Sequence, residues 1–311
     1  MEKNTMKKRK LTIEEGLYLL LAGTALLALI LYVSFCLDNL MHSDTTAEVI
    51  LSKFLADHNE LISKEWFYST EIRVIYTQLV MVPLFKIFSS FRLVKLLSIF
   101  IYYAILLYAW HMLTKRFTLE KKWIFLGLAL LLAPLSNEYL DMMFIGCFYT
   151  TQTICMYLVL SFVLKEKNSK KMWIREGIVL SVLSLLLGMT GLRYLASLYL
   201  PMLLAFLLFP VLEKEGNKKE NWQNITFSLV LTGFAGIGFL INKFYLAVHY
   251  SFDTTSEVSF VPIDEIPDRF LTSIRLMLEF MGYRQIQVVT PLGIVNAVKC
   301  LFFLAFIAMI A

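Results

Sequence analysis

Apolar runs of membrane-crossing length recur along almost the whole chain, and they limit what it can fold into. They occupy residues 17–37, 74–91, 93–114, 123–140, 142–164, 177–190, 192–212, 225–248 and 291–311. A helix needs about 20 predominantly apolar residues to cross a bilayer core. The composition agrees: 17% of the residues are charged, against about a quarter in a soluble globular chain. The apolar excess is therefore membrane-facing, and a length of 311 residues does not count domains here. The expected fold is all-α: a single polytopic transmembrane helical bundle over residues 1–311.

Charge placement orients the bundle. The N-terminal segment carries five Lys/Arg, loop 115–122 four, loop 165–175 five and loop 213–224 three. The positive-inside rule puts all four on the cytoplasmic side of a cell membrane. The first run follows Lys7-Lys8-Arg9-Lys10, which also fits a signal peptide. It is too long for a signal core and no small-residue cleavage site closes it, so it reads as an uncleaved span. Segment 38–73 is then external, with seven Asp/Glu against three Lys/Arg. To bring 115–122 back inside, only one of the runs 74–91 and 93–114 can cross. Run 74–91 contains Pro83 and Lys86 and ends early at Ser89-Ser90; a polar residue at mid-membrane depth is costly. We expect 74–91 to be a re-entrant or interfacial helix. The remaining runs alternate, which leaves 249–290 as a second external stretch. Run 291–311 stops at Ala311 inside apolar sequence, so the natural polypeptide is expected to continue.

The external face gathers the residues that could do chemistry. Asp44 follows the first span, and Thr46 to Ala56 suits an amphipathic helix with Ala47, Ile50, Leu51, Phe54 and Leu55 on one face,. Trp66, Tyr68, Glu71 and Arg73 stand just before run 74–91. That stretch also fits a solvated loop with an interfacial aromatic belt. Glu138 and Asp141 end run 123–140, and Arg193 opens run 192–212. An arginine there can snorkel or hold a phosphate bidentately. His42, His58 and His249 are each more simply structural than ligating. Cys36, Cys147, Cys155 and Cys300 all lie in apolar runs and read as small buried hydrophobes,, with no metal-type spacing. No basic face with interleaved aromatics suggests nucleic acid. Asp44, Glu71, Glu138, Asp141 and Arg193 come from distant stretches yet share one face, as a site between helices at a bilayer surface requires.

This arrangement resembles the C-type membrane glycosyltransferase superfamily, which includes protein O-mannosyltransferases and lipid A aminoarabinose transferases. The resemblance covers most of residues 1–212. Asp44 matches the early catalytic Asp of the first external loop, which juxtamembrane helices follow. Glu71 matches the acid before a half-buried helix, inside which lies Pro83-Leu84. Pro134 through Asp141 looks like the segment leading to a second acid. Many members carry His-Pro-Pro or Lys-Pro-Pro after the acid that Glu71 matches; here the residues are Ile72-Arg73-Val74. The resemblance implies transfer of a sugar from a polyprenyl-phosphate carrier to an external acceptor in the cell envelope. Asp44 and Glu71 would be catalytic, and Trp66, Tyr68, Arg73, Glu138, Asp141 and Arg193 would bind substrate. A carboxylate would take the proton of the attacking hydroxyl. The departing phosphate needs positive charge, from Arg or from a divalent metal. An oxygen-rich site suits Mg2+ or Mn2+, and metal dependence stays open because many members work without one.

Two other classes compete. A transporter or lipid flippase would place ionisable residues at mid-span and break its helices with Gly and Pro. The chain offers Lys86, Lys95, Lys243 and Lys299 but few buried acids, and no internal repeat is visible. A membrane scaffold is the third class, and two acid-rich external segments argue against it.

Overall fold

The structure is a computed structural model. It describes residues 11–68, 72–133, 136–165, 170–212, 218–252, 261–280, 282–283, 290, 293–294 and 297. Most of run 291–311 therefore lies outside the described residues.

Among the described residues three helices are long and apolar enough to cross a membrane: α1 (Ile13–Leu40), α4 (Phe91–Thr114) and the stretch Trp222–His249. The last belongs mainly to α11 (Lys218–Ile241), continued by a π-helical segment (Asn242–Leu246) and α12 (Ala247–His249). The 28 residues of α1 span about 42 Å at 1.5 Å per residue. A fourth crossing is counted if α5 (Lys121–Leu132) and the stretch Asn137–Ile145 form one broken span, bent by 94°. That stretch is a single turn, α6 (Asn137–Tyr139), running into a π-helical segment (Leu140–Ile145).

Shorter helices complete the fold. They are α2 (Ser43–His58), α3 (Gln78–Phe85), α7 (Phe148–Val163), α8 (Lys170–Gly188), α9 (Leu192–Tyr194), α10 (Leu200–Leu212) and α13 (Ile266–Phe280). A π-helical segment (Leu195–Tyr199) joins α9 to α10. Two-residue strands β1 (Phe67–Tyr68) and β2 (Ser251–Phe252) pair in parallel, tying the loop after α2 to the end of α12.

Local chemistry explains the boundaries. Thr12 and Glu15 form a reciprocal capping box at α1, with bonds of 3.2 and 2.9 Å, satisfying two orphan amides. Ser90 caps α4 through the Leu93 amide. Asn59 ends α2 in the left-handed region, φ 56°. Run 142–164 is not one helix: Cys147 takes φ 59°, and α7 starts only at Phe148. Gly191, φ 109°, makes a second break between α8 and α9.

Three apolar clusters hold the helices. The first unites α1, α4, α5, the Leu140–Ile145 segment and α7 around Leu29, Val33, Leu106 and Phe144. The second unites α7, α8, α10 and α11 around Val159, Leu187, Tyr199 and Leu231. Helix α7 contributes to both. The α8–α11 seam is close: a Cβ on Gly188 would stand 2.0 Å from the Ala235 carbonyl oxygen, and one on Gly238 2.1 Å from that of Leu185. Small residues allow such backbone approach where lipid supplies no hydrophobic driving force between helices. The third cluster sets α2, Tyr68, Ile72 and α3 against Val94 of α4 and Leu246.

The amphipathic helix after Asp44 is longer than expected and turned differently. Ala47 and Ile50 are exposed, and the buried side carries Thr45, Val49, Leu51, Ser52, Leu55 and Ala56. Thr45 and Ser52 can face inward because their hydroxyls are bonded, Thr45 to His42 and Ser52 to the Glu48 carbonyl. In run 74–91 only Gln78–Phe85 is helical. Lys86 is exposed at its end and donates to Asn59 Oδ1 at 3.0 Å.

Candidate functional site

The end of the bundle where α1 stops carries most of the polar chemistry. His42 caps α2: its Nδ1 accepts the Asp44 amide at 3.3 Å. An accepting Nδ1 leaves the neutral ring's proton on Nε2. Nε2 lies 2.9 Å from the Asp141 carboxylate and 2.9 Å from Thr45 Oγ1. One imidazole thus ties the first turn of α2 to the π-helical segment after α6. Asp44 itself is exposed in that first turn, where the positive end of the helix dipole favours its anion.

One turn further along α2, Glu48 accepts a 3.0 Å bond from the Thr77 hydroxyl. Burial pushes its carboxyl above the usual range, against the opposing pull of Arg73, the Thr77 bond and Lys95, with Asp44 adding to the rise. Two basic side chains and one acidic one are thereby close enough to act on one carboxyl. Lys95, fully buried on α4, donates to the Gly146 carbonyl at 3.4 Å.

Segment 72–77 lies between α2 and the second apolar cluster, and side chains from elsewhere fix it. Asn242 donates to the carbonyls of Ile72 (2.9 Å) and Met189 (2.7 Å), and Thr190 Oγ1 accepts the Ile75 amide at 3.2 Å. Arg73, held there, lies 4.4 Å from the centre of the Tyr76 ring. Its Nε is buried without a hydrogen-bond partner among the described residues. Tyr76 stacks on Phe148, ring centres 6.2 Å apart. Burial pushes its phenol upward, while the charges of Arg73 and Arg193 pull the other way. Arg193 lies 5.7 Å from the centre of the Tyr149 ring.

The expected site residues thus divide. Asp44, Asp141, Arg73 and Arg193 belong to one connected neighbourhood. Glu138 is exposed in α6, and no hydrogen bond or ion pair joins it to that neighbourhood among the described residues. Trp66 packs on Phe54, and Tyr68 packs on Tyr250 while its hydroxyl accepts the Ser63 amide. Both support the third apolar cluster; burial pushes the Tyr68 phenol up to about 12. Glu71 lies outside the described residues. Among the described residues no three His, Cys, Asp or Glu side chains are placed to hold a metal. Asp141 is engaged by His42 and Glu48 by Thr77, and with no third donor beside them among the described residues they do not make a Mg2+ or Mn2+ set.

His42, Glu48, Tyr76 and Lys95 were not singled out as site residues. Glu48 had a signal, since it falls four residues after Asp44 and so shares its helix face. The class these features define is a mostly helical protein with membrane-length apolar helices and a charged cluster at one end of them. Comparison with known proteins gives no match to the chain, whether to a family model, a curated protein or a solved structure.

Proposed function

We propose that the chain is a membrane glycosyltransferase that moves a sugar from a polyprenyl-phosphate donor to an acceptor on the outer face of the cell membrane. The observation that carries this reading is the meeting of His42, Asp44 and Glu48 with Arg73, Asp141 and Arg193. They come from four distant stretches and gather at one end of a bundle of apolar helices. The N-terminus would lie in the cytoplasm, with α2, α3 and α13 outside. Helix α3, at eight residues, covers about 12 Å, well short of a bilayer core, which favours a re-entrant or interfacial position.

In this reaction the acceptor hydroxyl oxygen attacks the anomeric carbon of the sugar and gives its proton to the Asp44 carboxylate. The bond from that carbon to the phosphate oxygen breaks, and the polyprenyl phosphate departs with the electron pair. Arg73 and Arg193 supply the positive charge that the leaving phosphate needs. A phosphate oxygen would also satisfy the orphaned Nε of Arg73, the kind of buried donor that is costly to leave unpaired. Asp141 acts through His42, fixing the turn that presents Asp44. The assignment of Glu71 as a second catalytic acid rests on the superfamily resemblance alone.

The test is incubation of the purified protein in lipid with a panel of polyprenyl-phosphate sugars and an acceptor mixture. Release of polyprenyl phosphate is expected with at least one donor. Movement of donor across a sealed bilayer, without release from any of them, would replace this reading by a transporter.

A further inference from the structure

Helix α13 is amphipathic, yet none of its side chains is buried among the described residues. At 100° per residue Ile266, Phe270, Leu271, Ile274, Met277 and Leu278 fall within one arc of α13,. No residue of α13 is buried; Phe270 is 64% and Leu271 63% exposed. The opposite arc carries Asp268, Thr272, Arg275 and Glu279, and ion pairs Arg269–Glu265 (3.0 Å) and Arg275–Glu279 (3.3 Å) brace the helix along its length. Helix–helix packing among the described residues therefore does not explain its pattern.

Its position says what covers the apolar arc. The Ser136 hydroxyl donates to the Phe280 carbonyl at 2.7 Å, and the Phe280 ring packs edge-on against Tyr139, centres 5.5 Å apart. Ser136 and Tyr139 form the bend that follows α5. Asp141, in the next turn, bonds His42 two residues beyond the end of α1, so the C-terminal end of α13 is pinned at the height where the α1 span ends. The polar arc contributes no net positive charge: residues 263–280 hold four carboxylates against two guanidiniums.

We propose that α13 is an interfacial helix that lies in the bilayer surface with its apolar arc among the lipids and its charged arc in water. Lipid is the occupant because the pinned end fixes the helix at interface height. Binding comes from apolar burial, not from attraction to anionic headgroups, which distinguishes α13 from the Lys/Arg-rich helices usual at membrane surfaces. The inference rests on the membrane reading and not on the transfer chemistry.

The experiment reconstitutes the full chain, with Cys36 and Cys300 replaced by alanine, into phosphatidylcholine vesicles. An environment-sensitive fluorophore is attached at Phe270→Cys, Ile274→Cys, Asp268→Cys or Thr272→Cys. Labels at 270 and 274 are expected to emit blue-shifted light and to be quenched by lipids brominated high on the acyl chain. Labels at 268 and 272 should instead be quenched by aqueous iodide. Exchange of half the lipid for phosphatidylglycerol should leave the pattern unchanged. Iodide quenching equal at all four positions would overturn the proposal. So would shielding of 270 and 274 from both quenchers, which means protein covers the arc, and so would lipid quenching that appears only with anionic lipid.

Discussion

His42 and Asp141, 99 residues apart in sequence, meet at 2.9 Å and join the start of α2 to the segment between α6 and α7. The imidazole does this while accepting the Asp44 amide on its other nitrogen, so capping and bridging use one tautomer.

The two roles of His42 separate by substitution. Asn at this position keeps a capping oxygen but loses the reach to Asp141, whereas Ala loses both. His42→Ala should cost about 1 kcal/mol more than His42→Asn, the ordinary worth of an N-cap. His42→Asn and Asp141→Asn should be non-additive in a double-mutant cycle, with a coupling of about 0.5 kcal/mol. That sits at the low end for contacting residues because the His42 side chain is 38% exposed and water screens the pair. Thermal unfolding in detergent measures both quantities, and strict additivity would remove the bridge.

Glu48 gives the protein a pH signature. Burial raises its carboxyl pKa in the folded chain above the ordinary 4.5. The folded state therefore holds the proton more tightly than the unfolded one, and stability falls as pH rises through that window. Below about pH 4, near the unfolded value, both states are protonated and the cost is absent. Glu48→Gln removes the ionisation and keeps an acceptor for the Thr77 hydroxyl. The variant should melt higher than the parent at pH 8, with the gap closing near pH 4. A gap that widens on acidification contradicts the sign.

The α8–α11 seam should tolerate no side chain at Gly188 or Gly238. The atoms a new Cβ would meet are backbone carbonyl oxygens, which cannot rotate away. Gly188→Ala and Gly238→Ala should each destabilise by about 1–3 kcal/mol, the usual range for overpacking. Gly233→Ala serves as the control, since nothing lies within 4 Å of its added Cβ. Fluorescence-detected size exclusion after graded heating ranks the three, and Gly233→Ala should match the parent.

Much of this fold is legible in the sequence because a bilayer demands length and apolarity, and runs such as 17–37 and 93–114 supply both. The breaks are less legible. Run 142–164 offers no polar residue at its kink; the turn comes from positive φ at Cys147, a residue with no special tolerance for it,. The π-helical turn at Asn242, which aims its amide at the Ile72 and Met189 carbonyls, lies inside an apolar run that reads as plain helix. The buried side of α2 differs from the expected one because Thr45 and Ser52 have the polarity of surface residues and face inward only through their local bonds. Asp44 and Asp141 stand out as charges at the ends of apolar runs. Nothing in their spacing names His42 as the residue that joins them.

The non-crossing position of α3 is open to labelling. If α3 stays on the outer side with α2, then α4 runs inward and Lys121, at the start of α5, faces the cytoplasm. An impermeant maleimide should label Lys121→Cys only after intact cells are opened, and Ile50→Cys, exposed on α2, before. Labelling of Lys121→Cys from outside alone would sink this topology.

Asp44 is the residue on which the proposed chemistry depends, and its structural role can be separated from a catalytic one. Among the described residues its side chain makes one hydrogen bond, at 3.4 Å from the Ser43 hydroxyl. The cap of α2 is His42, not Asp44. Replacement by Asn keeps the size and an acceptor oxygen and removes the charge. The structural cost is then the loss of one anion from a helix N-terminus, about 0.3–1 kcal/mol. That is too little to deplete a protein of ordinary stability. Loss of a general base costs about 10²–10⁴ in rate. Asp44→Asn should therefore reach nearly parental abundance and lose transfer by at least about a hundredfold, with donor binding retained. Asp141→Asn should lose far less, since it acts only through His42. Transfer by Asp44→Asn within a few-fold of the parent would remove Asp44 from the chemistry and turn attention to Glu48, its neighbour one turn along the helix.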